Sequence, residues 1–152
     1  MRPRGFTLIE MTVVMLIIGI SMALVVPMVN GGITSREVRR AARQIASTML
    51  HLRSEAVSLG RPTAMRIDIP ENTVETVGGG RWAVLTDRAV IEDVGRGARL
   101  VGDEQFEIRF YPNGSTSGGD VVLTSRQDRT RNRLHIHLDP LIGAVRVGDA
   151  PL

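Results

Sequence analysis

The amino-acid sequence predicts an α+β protein in which a long N-terminal helix packs on an antiparallel β-sheet or a small β-sandwich. Three observations support this fold class. Residues 6–29 form an almost wholly apolar run, residues 30–60 carry an apolar stripe at helical spacing, and residues 61–152 contain segments that alternate at period two. Helix therefore comes first and strands follow, as in an α+β chain.

The composition limits the classes to which the chain can belong. Its 152 residues fit one domain, and only 3% are aromatic, which predicts a core of mainly aliphatic side chains. The absence of cysteine excludes disulfides and thiolate metal sites. Lysine is absent, so the isoelectric point of about 10.8 reflects arginine, and a net charge of +3 gives no strong field for polyanions.

The apolar run at residues 6–29 predicts a transmembrane helix. At 1.5 Å per residue it is long enough to cross a hydrocarbon core of about 30 Å. A secretory signal peptide has a shorter apolar region followed by a small-residue cleavage site, and no such site follows this run.

Glu10 is the one charged residue within the run. A carboxylate in the bilayer costs roughly 2.5–3.5 kcal/mol at mid-helix and less near the interface, so it usually has a partner. Two explanations stay open. Glu10 lies shallow enough to reach the headgroups, or it pairs with a cation. Because the run contains no Lys, Arg or His, that cation would be an α-amino group freed by cleavage nearby.

The residues around Glu10 resemble a known processing site. Arg4-Gly5-Phe6-Thr7-Leu8-Ile9-Glu10 is similar to the prepilin peptidase site of type IV pilins and type II secretion pseudopilins. The resemblance implies a leader over residues 1–5, cleavage between Gly5 and Phe6, and N-methylation of Phe6. It also implies that Glu10 neutralises the terminal amine of a neighbouring subunit during assembly.

Pro27 adds to this resemblance. A proline inside a helix removes one backbone hydrogen bond and bends or loosens the preceding turn. Pilin-like proteins often carry a proline at this depth, which implies local melting of the helix during assembly. A chance proline near the end of a membrane helix is the alternative.

The arginines that flank the apolar run and the family resemblance predict opposite orientations of the helix in the membrane. Two arginines precede the apolar run, whereas four follow it, at Arg36, Arg39, Arg40 and Arg43. An arginine count places the C-terminal side in the cytoplasm. The resemblance implies a single-pass protein of the cell inner membrane, with a cytoplasmic leader and a periplasmic head. We follow the resemblance because its motif is far more specific than a two-arginine excess.

Residues 30–60 predict an amphipathic helix, and the resemblance implies that it is periplasmic. Apolar side chains recur at three- and four-residue steps, at Val38, Ala41, Ala42, Ile45, Ala46, Met49, Leu52, Ala56 and Leu59. Gly60 and Pro62 predict where the helix ends. Asn30-Gly31-Gly32 is a weak point at which the sequence allows an interruption.

Residues 61–152 predict a β-rich globular head. Strict alternation predicts strands at Met65–Ile69, Phe106–Phe110 and Leu134–Leu138. Shorter strands are predicted at Trp82–Thr86, Arg99–Val101, Val121–Thr124 and Ala144–Val147. Glycine, proline and asparagine turns separate them.

The C-terminal half of the head resembles the H-type minor pseudopilins of type II secretion, through Phe110–Ser115, Gly118–Leu123 and Leu134–Val147. This implies a non-enzymatic structural subunit of a secretion pseudopilus that helps drive protein export across the outer membrane. The implied partners are other pseudopilins, prepilin peptidase and the inner-membrane secretion platform. The alternative is a minor pilin of a type IV pilus or DNA-uptake apparatus, which shares the pattern.

No catalytic residue, cofactor or metal is predicted. His135, His137 and Asp139 share one face of a predicted strand and could present three metal ligands. The other face of that strand is apolar, so a solvent-facing polar edge is the simpler interpretation.

Arginines crowd one loop before the Leu134 strand, at Arg126, Arg129, Arg131 and Arg133. A solvated linker is one interpretation, and a phosphate-contacting patch is the other. Asp128 interrupts the cluster, and neither the single Trp nor the single Tyr lies in it. The sequence therefore predicts no nucleic-acid partner.

Overall fold

The computed structural model describes residues 7–78, 82–85, 88–127 and 133–149, with the backbone alone for residues 23–34 and 82–84. The elements within these ranges are α1 Leu8–Leu59, β1 Thr63–Asp68, β2 Thr73–Val77, β3 Trp82–Val84, β4 Ala89–Val94, β5 Arg99–Gly102, β6 Gln105–Phe110, β7 Gly119–Ser125, β8 Leu134–Leu138 and β9 Val145–Asp149. Packing divides the chain into two units, Met1–Ile33 and Thr34–Leu152.

The first unit contains the beginning of α1. Every side chain described from residue 7 to residue 22 is exposed. Within the described residues, no helix has a segment that is long and apolar enough to be identified as a membrane span. The helix assignment includes Asn30-Gly31-Gly32, so the interruption that the sequence allowed there is not observed.

The second unit begins with the amphipathic part of α1, and its buried face is the predicted stripe. The buried side chains are Val38, Ala41, Ala42, Ile45, Met49, Leu52 and Ala56. The helix ends at Leu59, and Gly60 follows with a φ of 64°, a left-handed conformation that glycine adopts without strain. The Thr63 hydroxyl then donates a hydrogen bond to the Leu52 carbonyl at 2.8 Å, which fixes the start of β1 against the helix.

Two antiparallel sheets follow. The first has the strand order β3-β2-β1-β6-β5, and the second has the order β4-β7-β8-β9. In the first sheet Met65 pairs with Ile108 across β1 and β6. In the second sheet Val121 pairs with Ile136 across β7 and β8. All four of these side chains are fully buried.

One hydrophobic core joins α1 to both sheets. It contains the buried helix residues together with apolar side chains from β1, β2, β4, β6, β7 and β8. The α+β prediction is therefore confirmed, and the head consists of two sheets rather than one. The structure adds β2 and β4, which alternation did not predict, and the strand predicted at Trp82–Thr86 ends at Val84.

Candidate assembly segment and head site

The predicted assembly segment begins with a capped helix. The backbone N–H of Glu10 donates to the Thr7 carbonyl at 3.1 Å and lies 3.3 Å from the Thr7 hydroxyl oxygen, which makes Thr7 the N-cap. A carboxylate in the first turn is also favourable beside the positive end of the helix dipole. The predicted cleavage residues Gly5 and Phe6 lie outside the described residues.

The carboxylate of Glu10 is exposed and has no ion-pair partner among the described residues. The other polar side chains nearby are satisfied within the helix, since Thr12 and Ser21 donate to the carbonyls of Ile9 and Ile17 at 2.8 Å each. Among these three polar side chains, Glu10 is the one for which the described residues give no side-chain partner.

The apolar side chains of this segment are exposed on every side of the helix. Large side chains exposed by more than two-fifths are Leu8, Ile9, Met11, Val13, Val14, Met15, Leu16, Ile17, Ile18, Ile20 and Met22. An amphipathic surface helix would bury one face, whereas a helix that is apolar all round is stable in lipid or among other helices. Pro27 lies within α1, where only the backbone is described.

In the head, Arg53 brings two of the predicted turns together. Its Nε donates to the Gly114 carbonyl at 2.9 Å, in the turn after β6. A Cβ on Gly143, in the turn after β8, would lie 2.6 Å from Arg53 Cδ and 2.7 Å from the Gly114 carbonyl oxygen, so only glycine fits there. Arg53 was not predicted as a site residue, because its partner Gly114 is 61 residues away in the sequence.

Asp139 organises the turn after β8. Its Oδ1 accepts hydrogen bonds from the backbone N–H groups of Ile142 and Leu141, at 3.1 and 2.8 Å. These bonds stabilise the charged carboxylate and lower the pKa of Asp139 below its ordinary value. Asp139 therefore holds the turn after β8.

The two histidines instead converge on a carboxylate of the neighbouring strand. His137 Nδ1 lies 2.6 Å and His135 Nε2 lies 3.1 Å from the same Asp120 Oδ1 on β7. This contact ties β8 to β7 on the polar face of the sheet. Within the described ranges, no group of three or more His, Asp or Glu side chains has the arrangement to hold a metal ion.

A buried carboxylate lies on the first sheet. Glu107 is 7% exposed and contacts Arg109 Nε at 2.6 Å and Arg66 Nη2 at 4.0 Å. The hydrogen bond between Arg109 and the Glu107 carboxylate raises the pKa of the Arg109 guanidinium. The negative charge of Glu107 raises it further. Arg99 of β5 and Arg66 of β1 are the register partners of Glu107 on the two neighbouring strands.

The predicted arginine loop is only partly described. Arg133 Nε lies 2.8 Å from Glu92 Oε2, so this arginine is held in an ion pair with β4. Arg126 is exposed, while Arg129 and Arg131 lie outside the described residues. The described part of the loop therefore retains a single exposed arginine.

Comparison with known proteins first defines a class. Residues 1–26 match the prokaryotic N-terminal methylation motif. The fold is similar to two structures of the minor pseudopilin EpsH from the type II secretion system of Vibrio cholerae, each with a TM-score of 0.60. They share 12% and 13% identity with this chain, cover 74% and 78% of it, and are themselves covered to 97%. The chain thus has a pilin-like fold behind a methylation-motif N-terminus.

The family follows from the sequence matches. Residues 41–139 match the family described as type II transport protein GspH. The type II secretion system protein H of Xanthomonas campestris pv. campestris is 30% identical over 147 residues, which cover 95% of this chain and 83% of that protein. The chain belongs to the GspH family.

Proposed function

We propose that this protein is a minor pseudopilin of a type II secretion system, a structural and non-enzymatic subunit that enters the pseudopilus through its N-terminal helix. One observation carries the proposal. The helix beginning at Leu8 is apolar on all sides, capped by Thr7, and holds one carboxylate without a partner among the described residues. Such a helix needs a lipid or protein environment with a cation for Glu10.

Processing would supply that cation. Cleavage between Gly5 and Phe6 removes the leader over residues 1–5 and leaves a free α-amino group at Phe6, which is then methylated. Glu10 of one subunit would pair with this amine on a neighbour. Because each subunit contributes one amine and one carboxylate, the pairing neutralises both charges in the apolar interior of the fibre.

The same proposal places the protein in the cell inner membrane. The GspH family implies membrane anchoring and interaction with other pseudopilins. The finer assignment is a single span at residues 6–29, a cytoplasmic leader, and a periplasmic head that begins after an amphipathic helix at residues 30–60. Prepilin peptidase and the inner-membrane secretion platform would be the further partners. Pro27 is proposed to loosen the helix during assembly.

Nucleic-acid binding by a type IV pilus or DNA-uptake minor pilin is the competing function. Removal of Arg2 and Arg4 would reduce the net charge from +3 to +1. Arg133 is paired with Glu92. Neither feature favours a phosphate site, so we propose no nucleic-acid partner.

Substitution of Glu10 by Gln tests the assembly proposal. The backbone N–H that Thr7 caps is unchanged in this variant, so the helix should still begin at Leu8 and the protein should remain in the membrane. Cross-linking to other pseudopilins should fall, because the neighbouring amine loses its anionic partner. Cross-linking in cells and secretion of an exported protein are the measurements.

Glu71→Gln is the matched control, because Glu71 is an exposed glutamate of the head. It should cross-link like the unsubstituted protein. Unchanged cross-linking and unchanged secretion in Glu10→Gln would contradict the role of this carboxylate. The mature N-terminus, determined by intact mass, should begin at methylated Phe6.

A further inference from the structure

The four arginines that follow the apolar run have no role in the proposed assembly. Arg36, Arg39, Arg40 and Arg43 are all exposed on α1. At 100° per residue they fall within one narrow arc of the helix, opposite the face that contains Ile45 and packs into the core. They form a basic face, defined here as these four side chains.

Few described carboxylates of the head lie close enough to neutralise the positive charge of this basic face. Arg39 lies 3.5 Å from Asp149 in an exposed pair, and no carboxylate among the described residues is in ion-pair range of Arg36, Arg40 or Arg43. Glu37 is turned toward Arg88, at 3.5 Å. Arg36, Arg40 and Arg43 are therefore exposed and have no carboxylate partner among the described residues, although Arg43 Nε donates a hydrogen bond to the Arg39 carbonyl at 3.3 Å.

The charge is confined to the first turns of this helical segment. The same exposed arc continues toward the C-terminal end of α1 with uncharged or weakly basic side chains, namely Ser47, Leu50, His51, Ser54, Val57 and Ser58. A basic surface needed only for solubility would not have to stop after Arg43. The positive charge is concentrated in the part of the helix that is nearest, along the chain, to the apolar run.

Chain length limits how far this face can be from a membrane. Arg36 lies seven residues after Val29, and seven residues span at most about 25 Å even when fully extended. If residues 6–29 are anchored in a bilayer, Arg36 therefore lies within about 25 Å of the end of the anchor, and Arg43 follows about 10 Å further along the helix. Arginines at an anionic surface are attracted by about 1 kcal/mol each, which is roughly fivefold per residue.

We infer that Arg36, Arg40 and Arg43 form a binding site for anionic phospholipid headgroups, which holds the start of the head at the membrane surface before the subunit enters the fibre. This inference depends on the proposed membrane anchor at residues 6–29. It also gives a function to the arginines whose number, by a simple charge count, opposes the proposed periplasmic orientation of the head. Three arginines together shift the equilibrium between lipid-bound and free helix on the order of a hundredfold.

The test uses the full chain in vesicles. Because the protein has no cysteine, Ser47→Cys introduces a unique site for a fluorophore on the exposed arc. The protein is reconstituted into phosphatidylcholine vesicles with or without phosphatidylglycerol, each containing a lipid with a quencher on its headgroup. Quenching should increase with phosphatidylglycerol, and it should decrease at about 1 M salt, where the Debye length is about 3 Å.

Two variants with equal charge change identify the site. Replacement of Arg36, Arg40 and Arg43 by Gln should remove the phosphatidylglycerol-dependent quenching. Replacement of Arg61, Arg96 and Arg126, which are exposed elsewhere on the head, should preserve it. Equal quenching in both lipid mixtures, or equal loss in both triple variants, would overturn the lipid site.

Extraction with alkaline carbonate separates this inference from the proposed anchor. Protein that resists extraction but shows no lipid dependence contradicts the headgroup site alone. Protein that is extracted contradicts the anchor at residues 6–29 and the site that depends on it. Loss of cross-linking to another pseudopilin in the first triple variant, without any lipid dependence, would assign the basic face to a protein partner and overturn the inference.

Discussion

The two units of this molecule use the same helix in opposite ways. In Thr34–Leu152 one apolar face of α1 packs in the core with residues of both sheets, and Ile45, Met49 and Ala56 are fully buried. In Met1–Ile33 the described apolar side chains are exposed, as Ile17 at 57% illustrates. The head therefore buries an apolar core of its own, whereas the exposed apolar side chains of the first unit would gain from burial against other molecules.

The largest expected difference comes from the same substitution in both units. Ile45→Ala should destabilise the head by about 2–5 kcal/mol, because it removes buried methyl groups and leaves a cavity. Ile17→Ala should change the unfolding free energy of the head by less than about 0.5 kcal/mol, because Ile17 is 57% exposed and does not belong to the buried core. Denaturant unfolding of the full chain in detergent measures both.

In assembly assays, Ile17→Ala should have a larger effect than Ile45→Ala has on the same measurement at equal amounts of folded protein. Ile17→Ala should reduce cross-linking to other pseudopilins at unchanged head stability. Similar losses of head stability in the two variants would contradict the division into a self-sufficient head and a dependent helix.

A smaller effect is expected from the turn that Arg53 holds. Gly143→Ala places a Cβ 2.6 Å from Arg53 Cδ and 2.7 Å from the Gly114 carbonyl oxygen, at a φ of 63°. Overpacking and backbone strain together should cost about 1–3 kcal/mol in the unfolding free energy of the head.

Two glycines serve as controls for this turn. A Cβ on Gly148 of β9 or on Gly19 of α1 would meet no atom within 4 Å. Alanine at either position should leave the head as stable as before, and at Gly19 it should favour the helix slightly. A thermal midpoint that is unchanged in Gly143→Ala would show that the turn is not held as tightly as the structure indicates.

The smallest effect is a dependence on pH at Asp139. Its pKa is lower in the folded protein than in the unfolded chain, because backbone N–H groups bond the carboxylate. The resulting stabilisation is complete above the unfolded pKa of about 3.9 and is lost as pH falls through the folded value. Asp139→Asn should therefore flatten the acid side of the curve of stability against pH. Asp103→Asn, at an exposed position, is the control, and identical curves for the Asp139 variant and the parent would rule out this contribution.

The strands show how far alternation predicts this fold. It located β1, β6 and β8 because one face of each is buried and the other is polar. It missed β4 because a register shift between Ile91 and Asp93 breaks the period, so that Ile91 and then Val94 are buried. A bulge of this kind depends on the neighbouring strand β7, which the local sequence does not specify.

The site residues also differ in whether the local sequence predicts them. Glu10, Gly5 and Phe6 were predicted because their motif is contiguous in sequence, although Gly5 and Phe6 lie outside the described residues. Arg53 could not be predicted, because the carbonyl that it binds is 61 residues away. The contact of Asp120 with His135 and His137 likewise requires the register of two strands that a loop separates.

The edge strands of the two sheets affect how closely packed copies of the head can interact. Among the described strands, β3 has only three residues, β4 and β5 each contain a register shift, and β9 exposes Arg146 and Asp149. Short, irregular and charged edges resist pairing with strands of another molecule. Heads stacked side by side at high local concentration are thereby protected from fusing into continuous cross-molecular sheets.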